Sequence, residues 1–181
     1  MKNKIKTEGK IVKIRPLKLS DAKDLYENIK DREVSRWTVI PHPYSMKEAV
    51  KFIRKSSYRT KKKTGFSLGI VLEETNKVAG GISLHAVDWK NNRAELSYWL
   101  GKKYWGRGIA TEAILLMLKF GFEKLKLHRI YAEVAEKNIA SQKVLEKCGF
   151  RREGMEREEI YKFGKWHNTY WYGILKDDFK K

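Results

Sequence analysis

Two glycines one residue apart, Gly106 and Gly108, stand between a strand pattern and a long helical one, and that punctuation limits the folds open to this chain. Upstream, Ala94, Leu96, Tyr98 and Leu100 alternate with Glu95, Ser97 and Trp99, the period of a strand with one face buried. Downstream, from about Ile109 to Leu125, Ala113, Met117 and Phe120 share one helical face. Between them, glycines let successive N–H groups turn toward one point, and the helix terminus adds partial positive charge, so an anion can dock there. Arg107 can add a charged contact. An ordinary glycine turn before a helix reads the same way, so Tyr104 to Thr111 alone names no ligand. It excludes two: there is no Gly-Lys-Ser/Thr of a P-loop, and Thr111 stands where the dinucleotide fingerprint needs a third glycine.

Around this core the other elements fall in order. Ile11 to Arg15 reads as a strand stopped at Pro16, and Ser20-Asp21 caps a helix carrying Ala22, Leu25 and Ile29. Trp37 to Tyr44, with two prolines, is a loop; Ser45 caps a second helix with Ala49, Phe52 and Ile53, which is expected to fray into the basic Arg59 to Lys63. Phe66 to Leu72 and Val78 to Leu84 are strands around a turn at Glu73 to Lys77. After the long helix, His128 to Val134 reads as a strand and Ala140 to Lys147 as a helix ending at Gly149; Phe150 to Leu175 then holds two strands around Phe163-Gly-Lys165. The order β-α-α-β-β-β-α-β-α-β-β predicts an α/β chain with a mixed sheet.

No repeat or linker divides the 181 residues, so a single domain spanning 1–181 is expected, with residues 1–10 as a polar lead. The single cysteine, Cys148, excludes an internal disulfide and a cysteine-built metal cluster and points to a reducing compartment. The apolar run Ala113 to Leu118 is too short to span a bilayer and the start has no apolar signal region, so a cytoplasmic protein without membrane contact is expected. Forty basic residues against 22 acidic ones leave a net charge of +18, which suits polyanionic neighbours such as RNA or a ribosome as well as a solvated surface.

The succession of strand, Gly-x-Gly turn, helix and strand, then Asn138-Ile-Ala-Ser141 and Gly149-Phe150, resembles the GNAT N-acetyltransferases, whose acetyl-CoA loop is Q/R-x-x-G-x-G/A. Trp105 to Ala110 is the matching stretch. Trp105 replaces the usual Gln or Arg and is similar to the RimJ/RimL branch, as are His128-Arg-Ile130, Glu133-Val134, Glu146-Lys147, and Gly164-Lys-Trp166 followed by Tyr172. The likeness covers Leu17 to Phe179 and implies an α+β GNAT fold: a mixed, mostly antiparallel sheet of about seven strands flanked by about four helices.

The resemblance implies acetyl-CoA as co-substrate, its phosphates on the amides of Trp105, Gly106, Arg107, Gly108, Ile109, Ala110 and Thr111, and its pantetheine paired with the backbone near Trp99 and Leu100. Asn138 is implied in contact with the pantetheine arm, helix capping being its other reading. Many GNAT enzymes place a tyrosine acid four residues after the Ser141 position, but Leu145 stands there, so Ser141 is the expected partner of the departing sulfur. Glu95 is the candidate general base, working through water, against plain surface pairing; His85 and His128 are further candidates. Transfer is direct, so Cys148 has no catalytic part, and no metal is expected.

The implied acceptor is a protein N-terminus, possibly that of a ribosomal protein, approached by a monomer or homodimer. At pH 7 an α-amine with pKa about 8 is roughly a tenth neutral, whereas a lysine near 10.4 is neutral at only a few parts in ten thousand, so the former needs a less demanding base. A polyamine or aminoglycoside acceptor is the alternative, and a non-catalytic acetyl-CoA-binding or RNA-associated module another. Trp37, His42 and Tyr161 leave the choice open.

Overall fold

Period-2 runs of apolar residues build one sheet, and the helical stripes cover its two faces. In this computed structural model, which describes residues 7–38 and 40–179, the chain runs β1 (Thr7–Glu8), β2 (Val12–Pro16), α1 (Ala22–Ile29), α2 (Arg32–Ser35), α3 (Met46–Lys62), β3 (Phe66–Leu72), β4 (Val78–Asp88), β5 (Arg93–Leu100), α4 (Ile109–Lys119), β6 (Arg129–Ala135), α5 (Ile139–Lys147), β7 (Arg151–Lys162) and β8 (Lys165–Leu175). The eight strands are ordered β1-β2-β3-β4-β5-β6-β8-β7. Among the described residues, only β5 and β6 run parallel. Among the described residues, no helix is long and apolar enough to cross a membrane.

Helices α1 and α3 pack on one face, where Ala22, Leu25, Ala49 and Ile53 meet Val71 and Val78. The long α4 packs on the other, burying Ala113, Ile114, Met117 and Leu118 completely against the opposite side chains of β2 to β6. At roughly 1.5–3 kcal/mol for each buried aliphatic side chain, this two-sided burial drives the fold. Helix α1 also fixes where β4 begins: the buried Asn28 donates to Val78 O at 2.8 Å, and Asp24 accepts from Val78 N at 3.1 Å. Asn28 lies so close to the end of β5 that a Cβ at Gly101 would stand 2.5 Å from its Oδ1, so the chain leaves the strand there through a glycine.

Four details differ from the sequence expectation. The polar lead contributes β1, which pairs Thr7 with Ile14 and makes the sheet eight strands rather than about seven; residues 1–6 lie outside the described residues. Helix α2 adds a fifth helix before the proline loop. The basic segment after α3 does not fray: the helix runs to Lys62 and closes at Lys63 with φ 55°. Lys and Arg are good helix formers, and cations at this end favour the helix dipole. The long helical pattern ends early, at Lys119, in a π-helical turn over Phe120–Lys124. Phe120 and Phe122 are both buried in that turn.

Candidate active site

The parallel pairing of β5 with β6 stops after Glu95 and Tyr131, although β5 continues to Leu100 and β6 to Ala135. On its other edge β5 stays paired with β4 as far as Leu100 opposite Gly80, so the gap opens on the β6 side alone. Gly101 N donates to Ala79 O across that β4 edge. Backbone groups alternate along an antiparallel strand, so Trp99 also turns its amide to β4, while Tyr98 and Leu100 turn theirs into the gap. Leu100 O is taken by the indole of Trp105 at 2.7 Å, which leaves the Leu100 N–H facing the opening. The tryptophan at the departed Gln/Arg position therefore ties the strand end to the glycine loop.

That loop holds Gly106 at φ +72° and Gly108 at φ +76°, and a Cβ built on either would meet nothing within 4 Å. Gly108 is the N-cap of α4, so the amides of Ile109, Ala110 and Thr111 form its first turn. This is a cradle of backbone donors with room before it. The loop and Leu100 border a cleft of about 570 Å³ whose rim carries Arg107, Lys137, Lys143 and Lys147. Sequence reasoning saw diffuse charge; part of it gathers where a phosphate-rich ligand would lie.

Helix α5 forms the opposite wall. Asn138 caps it, its Oδ1 accepting from Ser141 N at 3.3 Å, which leaves Nδ2 as the end able to donate into the cleft. Ser141 Oγ lies 2.8 Å from the hydroxyl of Tyr98, a partner the sequence analysis missed. Burial pushes the Tyr98 phenol up to about 12, with the Ser141 hydrogen bond opposing, so it stays protonated at neutral pH. The signal was faint: Tyr98 sits on the apolar side of an alternating strand.

Glu95 does not line this cleft. It projects from the sheet face opposite Tyr98, with its side chain 23% exposed, and burial raises its pKa. His85 Nδ1 is 3.8 Å from the carboxylate, beyond hydrogen-bond reach, and burial followed by the charge of Arg59 lowers the imidazole pKa, so at neutral pH the ring is a neutral neighbour. His128 is exposed at the start of β6, its N–H spent on Asn92 O. Cys148 is buried, burial raises its thiol to about 12, and it donates to Thr111 O at 3.6 Å. Such a thiol is no nucleophile.

Above the gap, the β7–β8 hairpin tip docks on the loop after α2. The Trp37 ring meets Phe163 and His167 edge-on, at 5.4 and 5.2 Å between centroids. Lys162 Nζ donates to the carbonyls of Arg36, at 3.1 Å, and Thr38. Tyr161 meets Trp166 edge-on instead, and His42 lies exposed in the proline loop.

Residues 12–151 match the acetyltransferase (GNAT) domain family. The sequence is 32% identical over 163 residues to YoaA of Bacillus subtilis, described as an uncharacterized N-acetyltransferase, covering 90% of this chain and 92% of that protein. It is 26% identical over 158 residues to the spermidine N(1)-acetyltransferase of Escherichia coli, covering 87% and 82%. A solved structure of RimL, a ribosomal L7/L12 α-N-protein acetyltransferase in complex with coenzyme A, shares the fold with a TM-score of 0.86 at 20% identity, over 94% of this chain and 97% of that one.

Proposed function

The chain belongs to the acetyltransferase (GNAT) domain family and is an N-acetyltransferase that uses acetyl-CoA; on that premise we propose that its acceptor is the α-amine of a protein N-terminus, such as that of a ribosomal protein. One observation supports the reading: β5 parts from β6 just beyond Glu95, which lies on the sheet face opposite Tyr98 and Ser141, so a candidate base and a candidate leaving-group partner stand on the two sides of the strand where the splay begins.

The pyrophosphate fits the amides from Gly106 to Thr111 and the lysines on the rim. The pantetheine arm fits the edge of β5, held by Leu100 N–H and Asn138 Nδ2. An outward amide of β5 then polarises the acetyl carbonyl, a preorganised donor for the oxyanion that forms. Glu95 removes a proton from the ammonium through water, and the free amine attacks the thioester carbon. A C–N bond forms and the C–S bond breaks; the nitrogen gives up its remaining extra proton to water, and the sulfur leaves as a thiolate that accepts a hydrogen bond from Ser141 Oγ, held in place by Tyr98, and takes its proton from solvent. Glu95 is a single carboxylate whose proton affinity burial raises, and a lone carboxylate is a less demanding base for an amine of pKa about 8 than for one of 10.4. Its partial burial argues for a catalytic domain over a mere acetyl-CoA binder. The net charge of +18 favours encounter with RNA-bearing assemblies in the cytoplasm.

The test uses one peptide in two forms, a free N-terminus with blocked lysine and the reverse, with the acetyl position read by mass spectrometry. Faster labelling of the α-amine is expected; faster labelling of the lysine form overturns the acceptor. A polyamine is the second reading, favoured by the carboxylates on the Glu95 face. For the leaving-group side, Tyr98→Phe lowers kcat about tenfold, the loss of one hydrogen bond of roughly 1–1.5 kcal/mol, with acetyl-CoA affinity unchanged. An equal drop in affinity would mean that Tyr98 only shapes the cleft.

A further inference from the structure

On the same sheet face as Glu95, three carboxylates converge with no cationic partner among the described residues. Glu133 of β6 and Glu156 and Glu159 of β7 bring carboxylate oxygens within 4.8 Å of one another. No ion pair or hydrogen bond ties any of them to a cation among the described residues, although the chain carries 40 Lys and Arg. Like charges at this spacing repel. Burial raises the Glu133 pKa, and the charges of Glu95, Glu159 and Glu156 add to it. The arrangement is built by a bulge: between the pairs Glu156–Thr169 and Ile160–His167, three residues of β7 oppose Asn168 alone, and Glu158 N donates to Asn168 Oδ1 at 2.9 Å with Glu158 at φ 54°. Such a bulge re-aims the side chains that follow it, here Glu159 beside Glu156.

A second observation points to a ligand. Thr169 is 1% exposed, and its Oγ1 is buried without a hydrogen bond of good geometry. It stands opposite Glu156 in register and near enough to the Glu133 carboxyl to lower its pKa, so it points into the cluster. Between this cluster and Glu95 lies an aromatic floor. Tyr131 is the register partner of Glu95, Trp171 that of Glu133, and the two rings pack at 5.6 Å. Two cations near Tyr131 are engaged elsewhere, Arg93 by Asp88 and Arg129 by Glu153.

We propose that the Glu133, Glu156 and Glu159 carboxylates hold a second cationic group of the acceptor while its reacting amine lies at Glu95, the apolar stem between them resting on Tyr131 and Trp171. The inference rests on Glu95 marking the acceptor site. Strand geometry sets Glu95 and Glu133 roughly 8–10 Å apart along the face, within the span of one aliphatic acceptor chain. An aromatic floor suits methylenes and an ammonium, whereas a divalent ion would keep its water. The second charge belongs either to a lysine or arginine close behind a peptide N-terminus or to a polyamine, and the experiment separates these sources.

Initial rates are measured with peptides that differ only in lysine or norleucine at positions two to four, and with spermidine against butylamine. The lysine peptide is expected to exceed the norleucine peptide in kcat/KM by about 10- to 100-fold at low salt, less at high salt. In the Glu133→Gln, Glu156→Gln, Glu159→Gln triple variant, and in part in Glu133→Gln alone, that ratio collapses toward one. If spermidine outruns every peptide and the triple variant erases its lead over butylamine, the subsite stands and the N-terminal acceptor falls. Equal rates for charged and uncharged partners in the wild type, or preferences that survive the triple variant in a folded protein, overturn the subsite while leaving acetyl transfer intact. Calorimetric binding of magnesium or calcium alone, lost in the triple variant, overturns it in favour of a metal.

Discussion

Replacing Gly108 by valine lowers acetyl-CoA affinity by about 100-fold or more while the protein still unfolds in one cooperative transition. Gly108 sits at φ +76°, a conformation that costs an L-residue roughly 1–2 kcal/mol and a β-branched one more. The valine therefore pulls the loop out of that conformation, and the amides at the start of α4 no longer point to one place. Losing two such charge-assisted hydrogen bonds, at roughly 1.5–3 kcal/mol each, corresponds to a hundredfold or more in Kd. The fold survives because a Cβ at Gly108 meets no protein atom within 4 Å. Titration calorimetry with acetyl-CoA beside a thermal melt decides it: unchanged affinity in a folded variant removes this loop from the cofactor site.

Glu95→Gln lowers kcat/KM by about 100-fold at pH 7, within the range for a positioned general base, and recovers most of the loss near pH 9, where the α-amine is already neutral. Burial raises the Glu95 pKa, so the wild-type rate falls as pH drops through a value higher than that of a free glutamate, and the variant loses that acid limb. The sign for stability is opposite to that of an ion-paired carboxylate. A carboxyl whose folded pKa is raised disfavours the folded state above that pKa, so removing the charge leaves the melting temperature at pH 7 equal or higher. Superimposable pH–rate profiles would make Glu95 structural. A lower melting temperature would mean that its contact with His85 holds the sheet together.

The sites legible from the residues are those whose physics is local. Ser45 was readable as a cap because both bonds of its capping box close within three residues, Glu48 N to Ser45 Oγ at 3.2 Å and Ser45 N to Glu48 Oε2 at 2.7 Å. The glycine loop was readable for the same reason, since positive φ at Gly106 and Gly108 is a property of the residue itself. Asn138 carried two readings, and the cap is present with one end of the amide left over for the cleft. Where a local pattern competed with packing it misled: the helical stripe past Lys119 continues in spacing, yet the chain widens into a π turn over Phe120–Lys124 in which Phe120 and Phe122 are both buried.

Alone, the sequence determined the strand–glycine–helix unit, the alternation that sends Glu95 and Tyr98 to opposite faces, and a chain with enough apolar surface for a two-sided sheet. Each follows from dihedral preference or from periods of 2 and 3.6 residues, which act over a few neighbours. Only the tertiary structure decided which distant groups meet. Tyr98 reaches Ser141 across 43 positions, and Lys162 reaches the loop at Thr38 across 124. Glu133, Glu156 and Glu159 share one spot because β8 lies between β6 and β7 and a bulge shifts the register by two residues. Register and bulges are chosen by what the whole sheet buries, so no window of sequence contains them.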